Sequence, residues 1–217
     1  MKILVTAGPT REFFDPVRFL SNRSSGRMGY AVAFEAAARG HEVVLVSGPV
    51  ALRPPSEVRV VNVVSALDML AAVEAELEAC DALVMCAAVA DWRPKEFSAS
   101  KLKKRNMTAT MELVPNPDIL SSIRQSKGNR IFVGFAAETD NLLEEAQGKL
   151  LRKGLDMIVA NDVAQPGAGF ETDTNIVTIL SVGAEPEHLP LMGKDAVATR
   201  IIERIESLNK IRHHSLS

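Results

Sequence analysis

Asn22 carries a neutral amide that can donate to a developing oxyanion and accept from an amine. It lies in residues 18–29 (RFLSNRSSGRMG), between a first apolar run and the start of a helix. Ser24, Ser25 and Gly26 follow it, with Gly29 just beyond, so small side chains and backbone N–H groups gather at that helix start. A helix N-terminus has unpaired N–H groups and a partial positive charge, and therefore favours an anion. The plain alternative is a serine-capped helix, and a glycine-rich turn after a strand is by itself a weak sign of phosphate binding. Lys101 sits in the basic stretch KLKKR, and Lys149 and Lys153 are four apart, hence on one helix face. Together these lysines supply the charge to hold a polyphosphate, although a basic run is otherwise an ordinary solvated surface.

Such groups act only if a frame brings them together. Residues 2–6 (KILVT), 42–47 (EVVLVS), 58–64, 82–86 (ALVMC), 131–135 (IFVGF), 157–160 (MIVA) and 175–180 (NIVTIL) read as buried strands, the last of these as the final strand. Between them the pattern predicts helices over 27–39, stopped by Gly40, over 66–80 with an apolar stripe of Leu67, Leu70, Val73 and Leu77, over 141–153, and over 194–210. The alternation implies an α/β fold: a Rossmann-like, doubly wound, mostly parallel sheet with helices on both faces and right-handed crossovers. Residues 10–25 are polar and irregular, and long loops of that kind tend to be functional. Residues 91–117 break the rhythm with Trp92, Pro94 and the basic cluster; 108–114 (TATMELV) then alternates like an exposed strand, so the segment reads as a flap or a dimer arm.

Doubly wound sheets bind ligands beyond the carboxyl ends of their strands. After the first strand come Gly8 and the Asn22 loop; after the fourth, Ala87, Ala88 and Asp91; after the fifth, Ala136, Ala137, Glu138 and Thr139; after the sixth, Asn161 and Asp162. Small residues, amides and carboxylates recur there, as if to let a substrate lie against backbone.

The remaining composition narrows the class. A chain of 217 residues with 47% hydrophobic and 24% charged residues is expected to form one domain, 1–217, with a substantial core. A formal charge of −2 gives no basic face for nucleic acid, and no run approaches the roughly 18 apolar residues of a membrane helix. The N-terminus, MKILVTAGPT, is strand-like and lacks a signal-peptide layout. Cys80 and Cys86 lack metal-ligand spacing and read as reduced core thiols, which suits a cytoplasmic protein. His41, His188, His213 and His214 fit no motif and are expected at the surface.

On longer stretches the chain resembles phosphopantothenate–cysteine ligase, the bacterial CTP-dependent type of coenzyme A biosynthesis. The matching stretches are VTAGPTREFFDPVRFLSNRSSGRMG (5–29), CAAVADWRP (86–94), SKLKK (100–104), NPDIL (116–120), GFAAET (134–139) and VANDV (159–163). They span nearly the whole chain in the family's order. Leu102 stands where the bacterial lysine motif usually has isoleucine. The resemblance implies a two-step amide synthesis: the carboxylate of 4′-phosphopantothenate attacks CTP to give an acyl-cytidylate and pyrophosphate, and the amine of cysteine then displaces CMP. It also implies Mg²⁺ or a similar divalent cation, a homodimer, and possible association or fusion with a phosphopantothenoylcysteine decarboxylase.

By the same resemblance, Asn22 matches the asparagine linked to conversion of the acyl-cytidylate and Lys101 the lysine linked to forming it. Ala87, Ala88 and Asp91 match substrate-pocket positions, and Arg18 an arginine that reaches a neighbouring subunit's substrate. Gly8, Ser24, Gly26, Gly29, Phe135 and Asn161, with Asn116, Pro117, Asp118, Ile119, Lys149 and Lys153, match the nucleotide side. Phe135 is otherwise plain core, Asp118 a helix cap, and Trp92 packing for the flap. Residues 166–170 (PGAGF) read as a mobile loop near the site. Two other classes share the strand rhythm. For a Rossmann-type NAD(P)-dependent oxidoreductase, the first turn lacks G-x-G-x-x-G and Ser47-Gly48-Pro49 replaces the acidic residue after the second strand. For a non-catalytic nucleotide-binding subunit, keeping both Asn22 and Lys101 has no purpose.

Overall fold

The computed structural model describes residues 1–103, 110–138, 141–162, 165, 169 and 172–214. Lys104, Arg105, Thr108 and Thr139, with Gly167 and Phe170 of the expected mobile loop, lie outside the described residues. Eight strands form the central sheet, in the order β12-β11-β10-β9-β6-β1-β4-β5. In chain order these are β1 (Lys2–Ala7), β4 (Glu42–Ser47), β5 (Arg59–Asn62), β6 (Ala82–Met85), β9 (Ile131–Glu138), β10 (Met157–Asp162), β11 (Thr174–Ser181) and β12 (Glu187–Gly193). The six from β10 to β5 are parallel; β11 pairs antiparallel with β10 and with β12, so β11 alone opposes the others. Buried parallel strands are apolar on both faces, and β1 shows it: Ile3, Val5 and Ala7 pack toward α1 (Arg27–Ala38) and α5 (Lys194–His214), while Leu4 packs toward α2 (Ala66–Leu77) and α4 (Leu142–Lys153). The chain winds from β1 out to β5, then returns to β6 on the other side of β1. The switch point is therefore the β1/β6 gap, which the Pro9–Ala88 bridge extends.

Two small additions flank that gap. β2 (Glu12–Phe13) and β3 (Phe19–Leu20) form a hairpin within the stretch expected as irregular loop, and β7 (Trp92–Pro94) pairs with β8 (Leu113–Pro115) as the flap. Of the exposed strand expected over 108–114, residues 108 and 109 lie outside the described residues and β8 begins at Leu113; Trp92 stands half exposed on the flap. NIVTIL is not the final strand: β12 follows it, its signal hidden by Pro190 and by a register shift opposite Asn175–Val177 that breaks the alternation. His41 is half-buried, its Nε2 3.0 Å from Glu206 Oε1, rather than at the surface; His188 is exposed beside Thr178.

Candidate active site

At the carboxyl edge of the sheet a cleft straddles the strand ends. One lobe, about 400 Å³, lies on the α1 side; a second, about 200 Å³, lies on the α4 side, and Ala87, Val89, Asp91, Phe135 and Lys149 wall both. The strand ends thus form a crest between two compartments.

The α1 lobe is built around the start of that helix. Gly26 is the N-cap, in the left-handed region at φ 78°, and no side chain caps the helix, so the serine-cap reading fails and the uncapped first turn, Gly26 to Gly29, lines the lobe. Glycine is required by crowding as well as by φ. A Cβ on Gly26 would come 2.9 Å from Val50 Cγ1, and one on Gly29 would come 2.6 Å from Ala7 Cβ. Gly8, at φ 80° and equally crowded by Val50, supports this packing without lining either lobe. Ser24 and Ser25 line the lobe, as does Arg27, whose guanidinium pairs with Asp173. Across the lobe stand Asn161 at the end of β10 and, missed in the sequence, Asn175 on β11 and Lys194 opening α5. Lys194 is buried; its Nζ donates to Gly169 O at 3.0 Å and to Thr172 O, and burial pushes its pKa down. Cys86 also lines this lobe as a free thiol, pushed up to about 12 by burial, so it is a poor nucleophile.

The α4 lobe gathers the other cations. Asn116, Pro117, Asp118 and Ile119 line it with Lys149 and Lys153. Lys149 Nζ donates to Phe135 O at 2.9 Å, and Lys153 contacts Ser121 Oγ at 3.0 Å and the Asp118 carboxylate. Asp118 is indeed the N-cap of the short α3 (Ile119–Ile123), accepting from Ser121 N at 3.0 Å. Asn116 ties flap to crest: its amide donates to Ala90 O at 2.8 Å and accepts from Arg93.

Asn22 reaches the crest itself. Its Nδ2 donates to Ala88 O at 2.6 Å while its Oδ1 accepts from Ser24 N at 3.0 Å, which fixes the amide between the β6 end and the approach to α1. Lys101 and Arg18 line neither lobe. Lys101 is exposed, but its neighbour Leu102 is stapled to the first loop. Asp15, fully buried, accepts from Leu102 N at 3.2 Å and from Arg18 Nε at 3.0 Å, and Arg18 also donates to Leu102 O at 2.9 Å. The Arg18 guanidinium and three backbone N–H groups hold the Asp15 carboxyl well below the ordinary carboxylate range. Nothing in the sequence singled out Asp15, Asn175 or Lys194: Asp15 reads as one more polar residue of the long loop after the first strand, Asn175 opens an apolar strand, and Lys194 begins a helix behind an edge strand that the pattern does not show.

A family model described as DNA/pantothenate metabolism flavoprotein C-terminal domain matches residues 1–208. The chain belongs to that family. Members resemble it strongly: it is 48% identical over 208 residues to the coenzyme A biosynthesis bifunctional protein CoaBC of Vibrio cholerae, and 46% identical over 209 residues to that of Bacillus subtilis. These matches cover 94% and 96% of this chain but 52% of each relative, so the chain spans about half the length of the curated family members it matches. A crystal structure of the C-terminal domain of CoaBC superposes with a TM-score of 0.83 at 44% identity, covering 96% of this chain and 95% of that one. The Rossmann-like, mostly parallel architecture expected from the sequence is thus the architecture of the family.

Proposed function

We propose that this chain is a ligase that joins 4′-phosphopantothenate to cysteine at the expense of CTP, forming 4′-phosphopantothenoylcysteine in coenzyme A biosynthesis. The observation that carries this is the two-lobed cleft: two compartments, each with its own means of holding phosphate, meet at a crest lined by small residues and touched by Asn22. The relatives in Vibrio cholerae and Bacillus subtilis are coenzyme A biosynthesis proteins, and this supports the same reading.

The triphosphate belongs in the α4 lobe, where Lys149 and Lys153 offset its charge and Phe135 and the 116–119 turn give contact surface. The phosphate monoester, rather than the nucleotide to which the resemblance matches Ser24, Gly26, Gly29 and Asn161, belongs in the α1 lobe at the uncapped start of that helix, because these residues line a different lobe from Lys153 and the 116–119 turn. At the crest the carboxylate oxygen attacks the α-phosphorus, the bond to the bridging oxygen breaks, and pyrophosphate leaves. The cysteine amine then attacks the acyl carbon, passing through a tetrahedral oxyanion that the Asn22 N–H stabilises; the acyl–oxygen bond breaks, CMP leaves and the amine loses its proton. Lys101, carried by the flap, supplies charge to the first step. Among the described residues no three His, Cys, Asp or Glu side chains converge as a metal cage. A divalent cation fits here as the companion of the triphosphate, with Asp91 on the crest as its protein carboxylate, and its role is to neutralise charge on the transferring phosphorus. We further propose a homodimer, a cytoplasmic location and association or fusion with a phosphopantothenoylcysteine decarboxylase, a reading that the bifunctional nature of the relatives supports.

Pyrophosphate release tests the reading. CTP and 4′-phosphopantothenate with Mg²⁺ should release pyrophosphate and leave a bound acyl-cytidylate, and added cysteine should convert it to amide and CMP. Amide formed equally without nucleotide, or only with NAD(P)H, would overturn it.

A further inference from the structure

Two side-chain oxygens in this cleft are buried and unsatisfied. Among the described residues, Asn161 Oδ1 and Asn175 Oδ1 have no hydrogen-bond partner, although Asn161 is 9% and Asn175 3% exposed. A buried polar atom without a partner is costly and rare, and at a cleft wall it marks where a ligand completes the set. The backbone aims the two the same way. Asn161 pairs with Val177 across β10 and β11, and Asn175 lies two residues from Val177, so both side chains leave the α1 face of the sheet on neighbouring strands. Asn175 Nδ2 leans toward Met28 Sδ, 3.7 Å away on the first turn of α1, and this places the residue against the proposed phosphate end of the lobe.

Both orphans are acceptors, so the ligand must bring donors. Gly193 pairs with Thr174 where β12 runs into α5, which seats the buried Lys194 beside Asn175, with Arg27 on the same wall. Cations at that wall disfavour an ammonium donor and leave neutral O–H or N–H groups. Next to its phosphate, 4′-phosphopantothenate carries a secondary hydroxyl followed by an amide N–H, and between phosphate and hydroxyl a gem-dimethyl carbon that suits the Met28 side chain. The strand order β11, β10, β9 then sets the sequence of contacts: hydroxyl at Asn175, amide at Asn161, and the chain onward past Phe135 to the crest, where its carboxylate reacts.

We propose that Asn175 is a specificity-determining residue, accepting from the secondary hydroxyl of the phosphorylated hydroxy-amide substrate while Asn161 accepts from its amide. This rests on the ligase reading above and deepens it. Calorimetric titration of the wild-type protein with 4′-phosphopantothenate and with the analogue lacking the hydroxyl is the first arm. The analogue should bind about tenfold or more weakly, because it leaves Asn175 Oδ1 unpaired. In the second arm, Asn175→Leu should weaken 4′-phosphopantothenate about tenfold, bind the two compounds alike, and hold CTP within about twofold of wild type. Wild-type protein that binds both compounds equally overturns the inference and leaves the ligase standing, and needs no variant to fold. A variant that still prefers the hydroxyl overturns it as well. Wild-type protein that binds neither compound removes the ligase reading itself.

Discussion

The Asn22 amide faces both ways along the reaction path: its N–H points at the crest carbonyl of Ala88 and its oxygen holds the backbone leading to α1. Asn22→Asp keeps shape and one acceptor but sets a carboxylate against Ala88 O and against the oxyanion of the second step. Loss of one such donor typically lowers the rate by about 10²–10³, roughly 3–4 kcal/mol in the barrier. In the proposed reaction activation draws on the lysines rather than on this amide, so rapid quench of the variant with CTP and 4′-phosphopantothenate should show normal pyrophosphate release and an accumulating acyl-cytidylate. A variant that binds CTP yet makes neither intermediate nor product moves Asn22 to the first step. The place of Asn22 at the cleft was legible in the sequence because a polar loop that follows the first strand of a doubly wound sheet and leads into a helix lies at the sheet's carboxyl edge. Asn175 was not: on paper it opens an apolar strand, and only its depth in the sheet leaves its oxygen without a partner.

Among the elements, the hairpin and the flap are joined by one carboxylate. Asp15 lies on the turn between β2 and β3 and grips Leu102, so the backbone next to Lys101 is positioned by a residue far away in sequence. Its folded pKa is depressed below the value of about 3.9 expected for an unfolded chain, so its stabilising effect is complete above that value and fades as pH falls through the folded one. Asp15→Asn keeps one acceptor and turns an N–H toward the Arg18 guanidinium. Scanning calorimetry should find the variant several degrees less stable, by an amount constant from about pH 5 to 8 that closes below about pH 4. Pyrophosphate release should fall with it, as Lys101 loses its fixed backbone. A stability gap already closed at pH 6 would show that the ionised Asp15 is not what holds the flap. The larger elements were readable because continuous apolar runs alternating with amphipathic helices admit few arrangements. The hairpin, Asp15 and β12 were not, because two-residue strands, a turn carboxylate and a Pro-interrupted edge depend on tertiary partners that local pattern does not encode.

For the whole molecule, the hairpin and flap carry a concentration of exposed apolar surface: Val17, Phe19, Trp92 and Phe97 are 55%, 38%, 53% and 61% exposed, and β2 packs against β7 so that they belong to one region. Such a patch beside a cleft suits a second copy of the chain, and a two-fold axis there would let each flap close over its partner's site. Arg18 and Lys101 travel together in that arrangement, since Arg18 donates to Leu102 O of its own chain. Mixed dimers of Arg18→Ala with Lys101→Ala should therefore regain nothing: whichever cleft the flap serves, every site keeps one lesion. Pairing a flap lesion with a cleft lesion decides which cleft that is. In Lys101→Ala mixed with Lys149→Ala, a flap that crosses the axis gives each hybrid one site made of an intact cleft and an intact flap. Random mixing makes half the dimers hybrid, so about a quarter of wild-type activity should return. A flap that covers its own cleft leaves every site damaged and returns none. That second result, or full activity in a monomer, would confine each site to one chain and leave the ligase reading intact.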